Sequence, residues 1–306
     1  MTFKRLIWLP AILLAGFALP ATADLRVFAC EPEWGAMVLA LAPEAQVHSA
    51  TTAWQDPHYI EARPGLIAAL RRADLAVCTG ASLEAGWLPA LIRRASNPAV
   101  RPGQPGLFMA AEQVVLHQPH DHVDRSMGDV HPEGDPHVHL APDLVPEVMT
   151  ALAARLQTIR PDQAASYQRN LIRWQVDWNI HKRRWQQAAE ELAGQRVVVQ
   201  HSTYDYLLRW LGVETVADLE PKPGLPPSAG HLSRLLATEG LDQASAILVS
   251  WYQDERPARW MNDRTGVPVL ALPSTVVPGE APATLEALID QIIDALLAVN
   301  GSADNV

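Results

Sequence analysis

Short apolar runs alternate with stretches of helical spacing along most of this chain. "LRVFAC" (25–30) precedes a helical pattern from about Trp34 to Leu41, and "AQVHSAT" (45–51) is the next strand-like run. "GLIAALRRA" (65–73) has helical spacing and leads into the strand-like "ADLAVCTG" (73–80), after which "GWLPALIRRA" (86–95) is again helical. Such alternation predicts α/β units on a parallel sheet. Residues 99–143 break the pattern. They are rich in Pro, Gly, His and Asp, and they read as loops around one short strand within "GLFMAAEQVVL" (106–116). A loop region of that length in a compact protein is usually functional or disordered.

A long helical stretch follows, opened by Pro161 and Asp162 and closed by Gly194. Ala164, Tyr167, Leu171, Trp174, Trp178, Trp185, Ala188 and Leu192 recur along it near helical spacing. Its length of about 50 Å far exceeds the three turns of an ordinary globular helix. Beyond Gly194 the alternation restarts. "QRVVVQ", "VETVADLE", "ASAILVSW" and "VPVLALPS" are strand-like, and helical patterns separate them. Ser228 stands as an N-cap, and "ATLEALIDQIIDALLAV" (283–299) forms a last amphipathic helix. The expected fold class is therefore α/β, with two doubly wound lobes joined by one long rigid helix. The lobes are expected at 24–155 and 194–306, and the linking helix at 156–193.

Residues 1–23 stand apart. Lys4 and Arg5 precede the apolar "LIWLPAILLAGFALP", and Ala21-Thr22-Ala23 fits a small-residue cleavage site. This is the pattern of a secretory signal peptide, which places the mature chain in the periplasm. The formal charge of −10 disfavours nucleic acid and anionic membrane surfaces as partners and suits a cationic ligand. Export permits a disulfide. Cys30 and Cys78 each close a strand-like run, so if those runs are neighbouring parallel strands the two cysteines pair. Neither belongs to a C-x-x-C motif, which argues against a two-cysteine metal site.

Six of the eleven histidines fall between His117 and Leu140. Three histidines in the whole chain occupy comparable places: His58 in "QDPHYIEARP", His137 in "GDPHVHLAP", and His201 directly after "RVVVQ". Ligands in doubly wound sheets bind beyond the carboxyl ends of strands, where His58 and His201 are placed to reach. Two of the three follow Asp-Pro, a stiff dipeptide that fixes the direction of the next residue. Three neutral imidazoles suit Zn²⁺ better than the oxygen-preferring Mn²⁺, Ca²⁺ or Mg²⁺. Asp56 and Asp135 could orient the imidazoles through their second nitrogens, with Glu61 as an alternative orienter.

The segments "DPHYIEARP", "ADLAVCTGASLEAGWL", "DPHVHLAP", "HSTYDYLLRWLG" and "EPKPGLPPSAGHL" together resemble the metal-specific solute-binding proteins of ABC importers, the zinc and manganese group. The resemblance covers nearly the whole mature chain. It implies two α/β lobes joined by a rigid helix, with metal in the interlobe cleft. It assigns His58, His137 and His201 as ligands of a transported Zn²⁺. It implies an ABC permease as partner, a periplasmic zinc chaperone as a further candidate, and a monomeric protein. The chain departs from the family pattern at His139, at Ala141, and at Pro273 and Ser274, where an Asp ligand would be expected. The fourth position is thus open to water, Glu280, Asp129 or His131. His139 ranks below His137 because an extended segment points alternate side chains to opposite faces. His117, His120 and His122 resemble the histidine-rich loop of zinc-specific members (about 117–135), a flexible collecting site. A manganese or iron carrier on the same fold remains an alternative. A zinc hydrolase using the open position is another, although H-E-x-x-H and G-x-S-x-G are absent.

Overall fold

The computed structural model describes residues 24–124 and 127–303; the expected signal peptide lies outside them. The first lobe runs β1 (Arg26–Ala29), α1 (Pro32–Leu41), β2 (Gln46–Ser49), α2 (Pro64–Arg72), β3 (Leu75–Cys78), α3 (Leu88–Ala95) and β4 (Leu107–Met109). Its four strands are parallel in the order β2-β1-β3-β4. Next come α4 (Val145–Ile159), a 3₁₀ turn at Pro161–Gln163, and α5 (Ala164–Leu192). The second lobe runs β5 (Arg196–Val199), α6 (Asp205–Leu211), β6 (Glu214–Asp218), α7 (Ala229–Leu235), β7 (Ala244–Ser250), α8 (Arg256–Thr265), β8 (Val269–Leu272) and α9 (Leu285–Ala303). Its sheet is also parallel, in the order β6-β5-β7-β8.

Both sheets are covered on both faces, which explains why their strands read as continuous apolar runs. Val27 and Ala29 of β1 join one core cluster, while Phe28 and Cys30 join another with Trp87 and Leu91. In the second lobe Val197 and Val199 face the first cluster, and Val198 packs with Ile247, Val249 and Met261. The first cluster is shared. It extends from β1 and α1 through α4 and α5 to β5, β7 and α9. The 29 residues of α5 span about 43 Å, and the stripe read from the sequence is buried at Tyr167, Leu171, Trp174, Trp178, Trp185 and Leu192 and half-buried at Ala164 and Ala188. Trp174 stacks on Trp178 at 4.9 Å, and Trp178 meets Trp185 edge-on at 5.0 Å. The indole N–H groups are satisfied, Trp178 donating to the Pro142 carbonyl and Trp185 to Asp290.

The parallel pairing of β1 with β3 brings their carboxyl ends together, and Cys30 and Cys78 are disulfide-bonded. Ser228 caps α7, its Oγ accepting from the His231 amide. Two elements differ from the sequence reading. The long helix opens with a 3₁₀ turn, and a separate 15-residue helix, α4, precedes it. In addition, the segment after His137 is a 3₁₀ turn over Val138–Leu140 rather than extended chain.

Candidate metal centre

Asp-Pro-His builds the same small structure twice. Asp56 Oδ1 accepts from the His58 backbone amide (3.0 Å) and from ring Nδ1 (2.8 Å). Asp135 Oδ1 accepts from the His137 amide (2.9 Å) and Nδ1 (2.6 Å). A carboxylate bonded to the amide two residues on is an Asx turn, and the intervening proline supplies a fixed φ. Each imidazole is held by Nδ1, leaving Nε2 to face outward from the turn. His201 reaches the same arrangement by another route. It follows β5, and its Nδ1 lies 2.9 Å from Glu220 Oε2. Glu220 is itself fixed: its amide donates to Asp218 Oδ1, and its Oε2 accepts from the Gly224 amide.

His131 is the fourth imidazole of this kind. Its Nδ1 lies 2.8 Å from the Ala81 carbonyl oxygen. A carbonyl can only accept, so Nδ1 carries the proton and Nε2 carries the lone pair. That Nε2 lies 3.2 Å from His58 Nε2. When His58 is neutral, with Asp56 accepting at its Nδ1, both facing nitrogens carry lone pairs. Nitrogens at 2.0–2.1 Å on a tetrahedral zinc stand about 3.3–3.4 Å apart. The spacing thus matches one edge of such a shell. His137 and His201 form a second pair, with ring centroids 5.6 Å apart.

Each of the four imidazoles shares a cavity with at least two others. His131, His137 and His201 line one of about 70 Å³. His58 and His131 line one of about 230 Å³, and His58 and His201 one of about 320 Å³. The two pairs stand wider than a closed shell. Among the described residues, the group of three donors lying mutually within 4.8 Å is Cys30, Cys78 and Glu84, not the imidazoles. An ion held by all four histidines requires the pairs to approach.

The electrostatics separate these groups. Burial holds His131 down to about 3, and the neighbouring His58 and His137 add to that. Burial also lowers His137, against the pull of Asp135. Burial opposes charge on His201 as well, but Glu220, hydrogen-bonded at Nδ1, outweighs it and its pKa is raised. Burial works to raise Asp56 and Asp135, and their histidine partners overcome it, so both lie below the ordinary carboxylate value. Burial thus favours the neutral imidazole at His131 and His137, while Glu220 favours the protonated form at His201.

The other sequence candidates fall elsewhere. His139 Nε2 donates to the Ser274 carbonyl (2.8 Å), and its Nδ1 faces Glu33 at 3.5 Å. The 3₁₀ turn, not strand alternation, sets that direction. Asp129 accepts from Tyr59 (2.8 Å). Glu280 lies on an exposed turn. Glu61 does not orient an imidazole: it is 81% exposed and pairs with Arg63. Sequence reasoning missed Glu220, which stands at the end of the strand-like "VETVADLE" with no local tie to His201.

The histidine-rich loop is better anchored than its composition suggests. The His117 amide donates to Tyr206 Oη (3.0 Å), and the two rings stack at 4.4 Å. Gln118 bonds Asp205, Ser82 bonds Glu133, and the Asp129 amide donates to the Pro223 carbonyl. Gly128, at φ +82°, approaches that carbonyl so closely that a Cβ would collide with it. The loop thus contacts both lobes, while the side chains of His120 and His122 remain exposed.

A family model described as ZnuA, zinc-uptake complex component A, periplasmic, matches residues 27–299. The high-affinity zinc uptake system protein ZnuA of Yersinia pestis is 24% identical over 214 residues, covering 66% of this chain and 67% of that protein. The zinc-binding lipoprotein AdcA of Streptococcus pneumoniae is 24% identical over 195 residues, 62% of this chain but 38% of the lipoprotein. Among solved structures, a crystal structure of ZnuA superposes with a TM-score of 0.76 at 20% identity, covering 91% of this chain and all of that one. The periplasmic zinc-binding protein TroA of Treponema pallidum gives 0.74 at 18% identity, covering 91% and 99%. FpvC of Pseudomonas aeruginosa, in complex with Mn²⁺, gives 0.72 at 20% identity, covering 92% and 100%. At these identities the structures speak to the fold.

Proposed function

We propose that this chain, which belongs to the family of periplasmic zinc-uptake complex component A proteins, captures Zn²⁺ between its lobes and delivers it to an ABC-type importer. Members of this family are binding proteins rather than enzymes, so the metal is cargo. The proposed donors are Nε2 of His58, His131, His137 and His201. The observation that carries this reading is the fixing of four Nδ1 atoms by Asp56, Ala81, Asp135 and Glu220. Preset tautomers lower the cost of ordering ligands around an ion. A donor set of four neutral nitrogens favours zinc over manganese, which prefers more oxygen.

The expected signal peptide would deliver the chain to the periplasm, and a monomer would meet the permease directly or after loading by a chaperone. The shared core along α5 points to release through small lobe shifts and loop movement. Identical hydrogen-exchange protection in the cleft loops with and without zinc would contradict that. The site itself is tested by calorimetric titration of Zn²⁺ and Mn²⁺ into the stripped protein and its single His→Ala variants. Each of the four is expected to lose zinc affinity, and wild-type affinity in all four would overturn the assignment.

A further inference from the structure

A second cluster of metal-binding side chains lies beneath the cleft, where β1 and β3 end. Cys30 Sγ, Cys78 Sγ and a Glu84 carboxylate oxygen all lie within 4.8 Å of one another. Both cysteines are completely buried, and Glu84 is 3% exposed. Glu84 is held by the amides of Thr79 (2.6 Å) and Gly80 (3.0 Å). Glu31 stands beside it. Its Oε2 accepts from Thr79 Oγ1 and the Trp34 indole, while its Oε1 is buried without a hydrogen-bond partner. Burial and repulsion from Glu84 and Glu33 push Glu31 well up, while burial pushes Glu84 to about 7 against the hydrogen bonds of the Thr79 and Gly80 amides and of Glu31. Two buried carboxyl groups in hydrogen-bond contact hold a proton between them, which a bound cation would displace. A cavity of about 30 Å³ between Glu31 and the imidazoles is lined by Glu31, Thr79, His137 and His139, and Cys30, Cys78 and Glu84 lie outside its lining.

We propose that the Cys30–Cys78 disulfide masks a buried metal site, and that reduction exposes a two-thiolate, carboxylate-assisted pocket for a thiophilic divalent cation such as Zn²⁺ or Cd²⁺. The spacing of the cysteines in sequence gives no hint of this pocket; the strand order creates it. The chemistry balances with a tertiary phosphine or a dithiol as reductant. With the phosphine, the S–S bond breaks and two electrons pass from phosphorus. Water supplies the phosphine oxide oxygen and the two thiol protons. The cation then displaces both protons on forming two metal–sulfur bonds, and Glu84 supplies an oxygen, with Glu31 next in line. Thiolates hold such cations tightly. In an oxidising compartment the disulfide therefore keeps a trap closed a short distance from cargo that must be given up. The proposal does not depend on which residues hold metal in the cleft.

The test uses the full chain carrying His58→Ala, His131→Ala, His137→Ala and His201→Ala, with Co²⁺ as an optical probe under anaerobic conditions. The oxidised protein is expected to show no sulfur-to-cobalt charge-transfer band. After phosphine reduction, with circular dichroism unchanged, one equivalent should bind with that band. Adding Glu84→Gln should weaken binding at least tenfold, and Cys78→Ser should remove the band. A reduced, folded chain that binds no cobalt through sulfur would overturn the proposal. So would cobalt–thiolate binding unaffected by Glu84→Gln, because an unfolded dithiol would behave that way. Loss of the fold on reduction would overturn it too, since the pocket requires the strand pairing.

Discussion

Asp135 offers the most direct handle on how the imidazoles are prepared. Its side chain is 8% exposed, and Oδ1 holds both the amide and Nδ1 of His137. Replacing it by Asn keeps an acceptor and the volume but removes the charge. A hydrogen bond to a charged group contributes roughly 1.5–3 kcal/mol and a neutral one roughly 0.5–1.5 kcal/mol. The difference of about 1–1.5 kcal/mol corresponds to about tenfold in affinity. Asp135→Ala removes the acceptor altogether and leaves a buried N–H without a partner. The expected loss rises towards a hundredfold, the upper range for groups that orient metal ligands. Competition titration against a chelator at fixed pH measures both variants, with Glu61→Ala as the exposed control expected to match wild type. Zinc affinity of Asp135→Asn within twofold of wild type would refute the reasoning, provided the variant is folded.

Zinc binding should also depend on pH in a particular way. The raised pKa of His201 means its proton persists to higher pH and must be displaced by the metal, so affinity falls up to tenfold per unit as pH drops below that pKa. His131, at about 3, and the lowered His137 add no such dependence near neutrality. Glu220→Gln should lower the His201 pKa and flatten the slope of affinity against pH by up to one; an unchanged slope counts against the coupling. At the cleft rim, Trp54 of the first lobe stacks on Trp251 of the second at 6.0 Å. Aromatic pairs contribute about 0.5–1.5 kcal/mol, so Trp54→Ala should speed zinc dissociation roughly two- to tenfold in a stopped-flow chelator experiment, and an unaltered rate would show that the stack does not hold the lobes together. Replacing the exposed His120 and His122 by Ala should leave equilibrium affinity nearly intact but slow acquisition of zinc at low concentration; equal capture rates would remove the collecting role.

What could be read from the chain follows from how local each cause is. The D-P-H triplets were legible because an Asx turn is complete within three residues, and the stripe of α5 because its period lies in the sequence. His131 could be named only as one candidate among several, since the carbonyl that fixes it belongs to Ala81, 50 residues away. Glu220 was missed for the same reason: its contact with His201 arises when β5 and β6 pair. His139 turns away from the other imidazoles to Ser274 and Glu33, but through a 3₁₀ turn rather than the extended segment assumed for it. The anchored loop reverses the impression of its composition, because Tyr206, Asp205 and Pro223 of the other lobe hold it down.

The central claim is a shell of four imidazoles with His131 as the fourth. X-ray absorption at the zinc edge, on the zinc-loaded protein and on His131→Ala, tests it most directly. Four nitrogens at about 2.0–2.1 Å with imidazole scattering are expected in the wild type, and three with one light oxygen ligand in the variant. A wild-type shell of three imidazoles and a carboxylate, left unchanged by His131→Ala, would contradict it.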